Sequence, residues 1–359
     1  MKVLQVINSL HTGGAEKLLL ESIPLYVKQG IKMDILLLNG SETPFLTALK
    51  KQECCRIFSI GKGWVYNPFL ILKIILYLKH YDVVHVHLFP ALYFVALAKI
   101  MSFSKVKFVY TEHNTNNKRR RFYVFKLIDR IIYENYKKII TISNDVELSL
   151  KKHLKTRKSK FIRIQNGVNF QKFSKVNAYK CSDFFSIEDK ILIQVSSFTH
   201  QKDQVTLIKS LTALPEQVKL LLVGEGELKE RSEVLVQKLK LTTRVKFLGI
   251  RMDVPQLLKT ADICILSSKW EGFGLVAVEG MSCGKPLIAT NVPGLNQIVK
   301  GAGLLFPVGD EKVLAKHIMD LLHTKNYYNK VANACLERSK KYDIELMVNK
   351  HIALYNSLI

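Results

Sequence analysis

The sequence predicts an α/β fold built from two doubly wound domains, and three observations carry that prediction. The chain has 359 residues, enough for two domains at about 100–200 residues each. Short apolar runs alternate with longer amphipathic ones along its length, the pattern of parallel strands covered on both faces by helices. The alternation breaks once, at the polar, turn-rich stretch "IRIQNGVNFQKFSKVNAYKCSDFFS" (162–186), and then restarts. The expected partition is therefore residues 1–170 and residues 171–343, with the remaining 344–359 reading as one amphipathic helix.

In the first series, the strand "KVLQVINS" leads through "LHTGGAEK" into a helix closed by Gly30. The strand "KMDILLLN" follows, then a helix over 69–80 and the strand 83–87. A helix over 90–101, the strand "KFVYTEH" (107–113), a helix over 121–135 and the strand "KIITIS" complete the series. The second series has strands at 190–198, 218–226, 245–250, 263–268, 286–290 and 303–307, with helices at 203–213, 227–239 and 275–283. In open α/β sheets ligands bind beyond the carboxyl ends of the strands, so the strand-to-helix loops are where chemistry is expected.

Composition narrows the classes. Hydrophobic residues make up 48% and charged residues 23%, as in ordinary globular proteins. The longest apolar run, "FLILKIILYL" (69–78), is half of the roughly 20 residues a membrane span needs. The opening "MKVLQVINSL" lacks the apolar core and cleavage site of a secretion signal. Six cysteines show neither metal nor framework spacing, so reduced thiols in a cytoplasmic chain are expected. The net charge is +24, and residues 1–170 hold 28 Lys+Arg against 11 Asp+Glu, or +17 of it. The excess gathers at 116–130, "NNKRRRFYVFKLIDR", and at 151–163. Such patches attract anionic lipid, phosphorylated substrates or nucleic acid, but no nucleic-acid-binding motif accompanies them.

Four loops carry candidate chemistry. The Gly13-Gly14 turn lets backbone amides approach an anion at a helix start, and its spacing is not the G-x-G-x-x-G dinucleotide fingerprint. His113 follows its strand and is placed to bond a hydroxyl or act as acid or base. His87, at the end of the strand 83–87, is a second candidate, and packing explains the His85/His87 pair better than metal binding does. Lys202, in "SSFTHQKDQ", sits just before a helix start, a sensible place for a diphosphate. The fourth loop is "KWEGFG" (269–274), between a strand and the helix 275–283. Its paired Glu271 and Glu279 suggest glycoside hydrolysis. A division of labour fits better: the amides of Phe273 through Val276 hold anionic oxygens, while the two carboxylates accept bonds from sugar and ribose hydroxyls.

The string "EGFGLVAVE" with "MSCGKPLIAT" behind it resembles the E-x7-E signature of retaining glycosyltransferases of family 4, which have the GT-B fold. "HTGGAEK", "VYTEHN", "NGVNFQKF", "SSFTHQKDQVTLI", "LLLVGEGELKERSE" and "VKFLGIRMDVPQLLKTADICILSS" are similar to that family's other motifs, in order. The resemblance implies two Rossmann-like domains facing each other across a cleft, the first binding acceptor and the second the donor, with 344–359 crossing back onto the first. It implies Glu279 on the donor ribose and Glu271 on the donor sugar. Lys202 with the amides at Gly13 and Gly14 would hold the diphosphate, Gly272, Phe273, Gly274, Leu275 and Val276 would complete the donor site, and His113 would face the transferred sugar. The family's G-R pair is replaced by Ser196-Ser197, so Ser197 stands where a diphosphate-contacting arginine is usual, and Arg251 or another basic residue would have to compensate.

The implied activity is transfer of a hexose, with retention, from a nucleotide-diphosphate sugar, UDP by family frequency. The acceptor would be a hydroxyl on a lipid-linked glycan in bacterial surface polysaccharide synthesis, such as capsule or O-antigen. No D-x-D pair occurs, so metal independence and no cofactor are expected. The basic first half, with Phe122, Tyr123 and Phe125, is expected to dock on the anionic cytoplasmic face of the inner membrane. The rival readings are a sugar-nucleotide 2-epimerase of the same fold and a basic nucleic-acid-binding protein.

Overall fold

A computed structural model describes residues 1–115, 118–154 and 160–359. The chain divides into two compact units, Met1–Gly167 with Ile344–Ile359, and Val168–Asp343. The boundary falls three residues before the expected 170. Val168 pairs its amide with Tyr342 O at 2.8 Å, and the Asn169 side chain caps the next helix, accepting from Lys172 N at 3.0 Å, so both residues belong to the second unit.

In the first unit the strands are β1 (Lys2–Ile7), β2 (Lys32–Leu37), β3 (Ile57–Ser59), β4 (Val83–His87), β5 (Lys107–Glu112), β6 (Lys138–Thr141) and β7 (Phe161–Arg163). They form one sheet in the order β3-β2-β1-β4-β5-β6-β7, parallel throughout. The helices are α1 (Gly14–Lys28), α2 (Pro44–Lys50), α3 (Leu70–Leu78), α4 (Ala91–Ser102), α5 (Tyr123–Glu134) and α6 (Asn144–Leu154). One sheet face is wholly apolar: Leu4, Val6, Val84, Val86, Phe108 and Tyr110 pack against Ile74, Val95 and Ile132 of α3, α4 and α5.

The second unit opens with α7 (Phe170–Ser174) and has strands β8 (Lys190–Val195), β9 (Val218–Val223), β10 (Val245–Phe247), β11 (Ile263–Leu266), β12 (Leu287–Thr290) and β13 (Leu304–Phe306). Their order is β10-β9-β8-β11-β12-β13, again all parallel. Its helices are α8 (Gln204–Ser210), α9 (Lys229–Lys238), α10 (Val254–Thr260), α11 (Leu275–Ser282), α12 (Asn296–Val299), α13 (Glu311–His323) and α14 (Lys325–Lys340). The last helix, α15 (Ile344–Asn356), packs on α1 and belongs to the first unit. Each sheet reverses its winding once, between β1 and β4 and between β8 and β11. Those reversals are where a doubly wound sheet opens a crevice for ligands. Among the described residues, no helix is long and apolar enough to cross a membrane.

Candidate functional site

In the second unit the loops after β8 and β11 flank the winding reversal, and they are tied together. Gln194 near the end of β8 donates to Lys202 O at 3.0 Å and accepts from Ser267 Oγ at 2.9 Å. Ser267 Oγ also lies 2.8 Å from Asp203 O. Gln204 reaches back to Ser197 O at 2.9 Å, and Lys269 N donates to Gln201 O at 2.8 Å. Each bond satisfies a loop polar group that would otherwise be stranded at an apolar sheet end.

This lacing brings Lys202 against Glu271. Their side chains form an ion pair, and Ser268 Oγ donates to the same Glu271 oxygen at 3.0 Å. Glu271 is only 8% exposed, so the ammonium is what makes a carboxylate tolerable there. Glu279 lies inside α11, 2% exposed. Ser197 is exposed on the loop rim.

Two glycines shape the turn. Gly274 caps α11 in the left-handed region, φ +84°, where a β-carbon would overlap Leu295 Cδ2. Gly294, at φ +86°, crosses the Glu271 backbone so closely that a β-carbon would stand 2.5 Å from Glu271 O. Gly272 sits between them in sequence, half-buried, and Leu275 and Val276 open the helix. Phe273 turns into the core, edge-on to Tyr342 with centroids 5.5 Å apart, so only its backbone faces the turn.

Arg251 does not join this group. It follows the edge strand β10 and is bound bidentately to Asp253, at 2.8 and 2.5 Å. Asp253 also accepts from Tyr179 OH at 2.6 Å, and those bonds hold its carboxyl down at about 2.

The first unit holds a different constellation at its winding reversal. Gln5 of β1, His85 and His87 of β4 and Thr111 of β5 line the sheet face covered by α1 and α15. His87 Nδ1 lies 3.0 Å from His113 Nε2, and His87 Nε2 lies 2.8 Å from Gln5 Oε1. His85 bonds Tyr355 OH at 2.6 Å and Thr111 Oγ1 at 2.7 Å, while Tyr26 OH bonds His351 Nδ1. Burial pulls His113 down to about 4 and His351 to about 3, and pulls His85 and His87 well below the ordinary histidine value. The rings are neutral hydrogen bonders. The packing reading of His85 and His87 agrees with this, and no metal-holding group of His, Cys, Asp or Glu occurs among the described residues.

Gly13 and Gly14 open α1. The carboxyl of Glu16, which the sequence did not single out, folds over Gly13, and burial raises it to about 7. The basic run at 116–130 needs a correction. Arg120 is paired with buried Glu112, and Arg119 lies 3.4 Å from fully buried Asp129 and 4.6 Å from the Phe89 ring centroid. These two arginines face inward, neutralising carboxylates, and leave the surface less basic than the sequence suggested. Asn116, Asn117 and residues 155–159 of the two basic stretches lie outside the described residues. Phe122 and Tyr123 are exposed, as expected, and Phe125 is half-buried. The missed participants, Gln194, Ser267, Ser268 and Gln5, are common residue types with no spacing signal of their own.

Two Rossmann-like parallel-sheet units with a lysine–glutamate pair at one winding reversal define a GT-B type architecture. Residues 12–172 match the model described as Glycosyltransferase Family 4, and residues 182–338 match Glycosyl transferases group 1. The chain belongs to glycosyltransferase family 4. An uncharacterized glycosyltransferase of Methanocaldococcus jannaschii is 29% identical over 308 residues, covering 83% of this chain and 82% of that one. The UDP-Gal:alpha-D-GlcNAc-diphosphoundecaprenol alpha-1,3-galactosyltransferase of Escherichia coli is 26% identical over 63% of this chain and 65% of its own length. Some further curated relatives match over about half their length or less. The crystal structure of Anabaena HepE in complex with UDP and glucose superposes with a TM-score of 0.85 at 23% identity, covering 100% of both chains, a likeness of fold.

Proposed function

We propose that the chain is a retaining, metal-independent hexosyltransferase that moves a sugar from a UDP-sugar to a hydroxyl of a lipid-linked glycan in bacterial surface polysaccharide synthesis. The observation that carries this reading is the Lys202–Glu271 pair, held by Ser268 and laced to β8 and β11 at the second unit's winding reversal. The UDP named with HepE and the lipid-linked substrate named for the Escherichia coli relative support it.

Charge accumulates on the leaving diphosphate as the glycosidic bond breaks. Lys202 stabilises it, aided by the positive end of α11 beyond Gly274, which acts where charge develops. Glu271 accepts from sugar hydroxyls and Glu279 from the ribose, bonds that an ionised carboxylate makes well. The acceptor attacks from the leaving-group face and its proton passes to the diphosphate, so no protein nucleophile is needed. His113 faces the transferred sugar as a neutral group. With Lys202 present, no metal is required for the leaving group.

The acceptor is presented at a membrane surface on the cytoplasmic side of the inner membrane. Along α5, Val124, Leu127, Ile128 and Ile131 recur at helical spacing and are exposed, beside Phe122 and Tyr123 at 63% and 73%. Such an apolar stripe, with Lys126 and Arg130 on the same helix, suits the headgroup boundary. Vesicles with anionic lipid should co-float the protein, and Ile131→Asp should release it; equal flotation on neutral vesicles removes this part.

The test of the activity is a thermal-shift and turnover panel of UDP-, GDP- and ADP-sugars in EDTA. A donor at a hundredfold its Kd should add about 2.7 kcal/mol. An epimer formed from UDP-sugar without acceptor, or no stabilisation by any sugar nucleotide, overturns the assignment.

A further inference from the structure

We propose that Gln5 and His87 are positioning residues that fix the tautomer of His113, and so make the sugar-facing histidine a hydrogen-bond acceptor only. The inference rests on the reading of His113 as a sugar contact, but its structural half stands without it.

The relay begins at Gln5, buried on β1. Its amide nitrogen faces Met33 Sδ at 3.4 Å and Tyr355 OH at 3.5 Å, and its amide oxygen faces His87 Nε2 at 2.8 Å. A thioether sulfur accepts weakly and never donates, so the nitrogen belongs on that side. An amide oxygen only accepts, so His87 carries its hydrogen on Nε2. Burial beside other histidines keeps His87 neutral, which leaves its Nδ1 as a bare lone pair. That lone pair lies 3.0 Å from His113 Nε2, so His113 donates from Nε2. His113 is neutral as well, with Glu112 the charged group beside it, and its Nδ1 is therefore bare.

The consequence is selectivity. A bare Nδ1 on a half-buried ring accepts from a donor sugar's hydroxyl or amide N–H. It repels a carboxylate or an ether oxygen, because neither offers a hydrogen and the ring has none left to give. The substrate class that fits is a neutral sugar with a free hydroxyl at the position facing His113, and uronic acids are rejected there.

Histidine-labelled protein examined by long-range proton–nitrogen NMR decides the tautomer, with the His113 signals assigned by their loss in His113→Gln. The expected spectrum of the unaltered protein shows a protonated Nε2 and an unprotonated Nδ1 at His113. Protonated Nδ1, or a mixture of forms, overturns the relay, and the spectrum that decides it is that of the unaltered protein. Gln5→Leu should convert the single form to a mixture and lower kcat/KM by about tenfold, the loss of one hydrogen bond in the transition state. A single unchanged form in Gln5→Leu also overturns it. The expected tautomer in a protein that turns over no sugar nucleotide sinks the functional reading and leaves the relay standing.

Discussion

The two units share one strand order over six strands, the first adding β7 at its edge, and place opposite chemistry at the same topological point. Where β8 and β11 part, the second unit keeps a charged pair, Lys202 and Glu271. Where β1 and β4 part, the first unit keeps neutral rings and an amide, His87, His113 and Gln5. Topology therefore opens a loop crevice at the same point in each sheet, and the side chains gathered there differ in charge. Charge suits a diphosphate, while neutral donors and acceptors suit sugar hydroxyls.

The contrast can be broken by substitution, and the largest effect falls in the charged unit. Lys202→Ala should lower transfer by about 10²–10³-fold, as loss of a donor to developing charge does. A variant within threefold of the unaltered rate would show that the diphosphate lies elsewhere. Glu271→Gln separates the two duties proposed for the pair. It frees Lys202 for phosphate, so UDP should bind as well or better while transfer falls about 10²-fold; weaker UDP binding would contradict the division of labour.

Next in size is the backbone around that pair. Gly294→Ala should cost about 2–4 kcal/mol in thermal unfolding, because a left-handed φ and an overlap with Glu271 O act together. Gly30, also at positive φ but with nothing near its absent β-carbon, should cost only about 1 kcal/mol on the same change. Equal costs would show that the close approach to Glu271 has no energetic weight.

The neutral unit should reveal itself through pH. His85, His87, His113 and His351 titrate below their unfolded value of 6.5, His113 at about 4 and His351 at about 3. Below pH 6.5 the unfolded chain takes up protons that the folded chain refuses. Stability therefore falls as pH drops from about 6.5 toward 4, by at most about 1.4 kcal/mol per pH unit for each ring. Glu16 opposes this. Its folded value of about 7 lies above 4.5, so its contribution is lost as pH rises from 4.5 to 7. Four rings outweigh one carboxyl, and the net slope below 6.5 should be downward with falling pH. Hydrogen exchange should show amides of β1, β4 and α15 losing protection before those of β8 and β11.

Much of the fold was legible because parallel strands are buried on both faces and read as apolar runs; the expected span 83–87 coincides with β4 (Val83–His87). The edge strands β3 and β7 were missed, being three residues long and half-buried. Helix α2 was missed at seven residues, and α6 because its sequence "NDVELSLKKHL" is too polar to show a clear stripe. The candidate site was legible where residue types are unusual for their place, as with Lys202 and Glu271 beside glycines, which the structure brings together. It was illegible where ordinary residues do the holding. Nothing in the spacing of Gln194 and Ser267 announces a bond between neighbouring strands, and the run at Arg119 and Arg120 looks like surface until Glu112 and Asp129 are found beneath it.

The most direct test is calorimetric titration of UDP into the unaltered protein and Lys202→Ala, both in EDTA. UDP should bind the unaltered protein and lose about 10–100-fold in affinity in the variant, the worth of a charge-assisted bond. Equal affinity in the two proteins, or binding that appears only when a divalent metal is added, would contradict this.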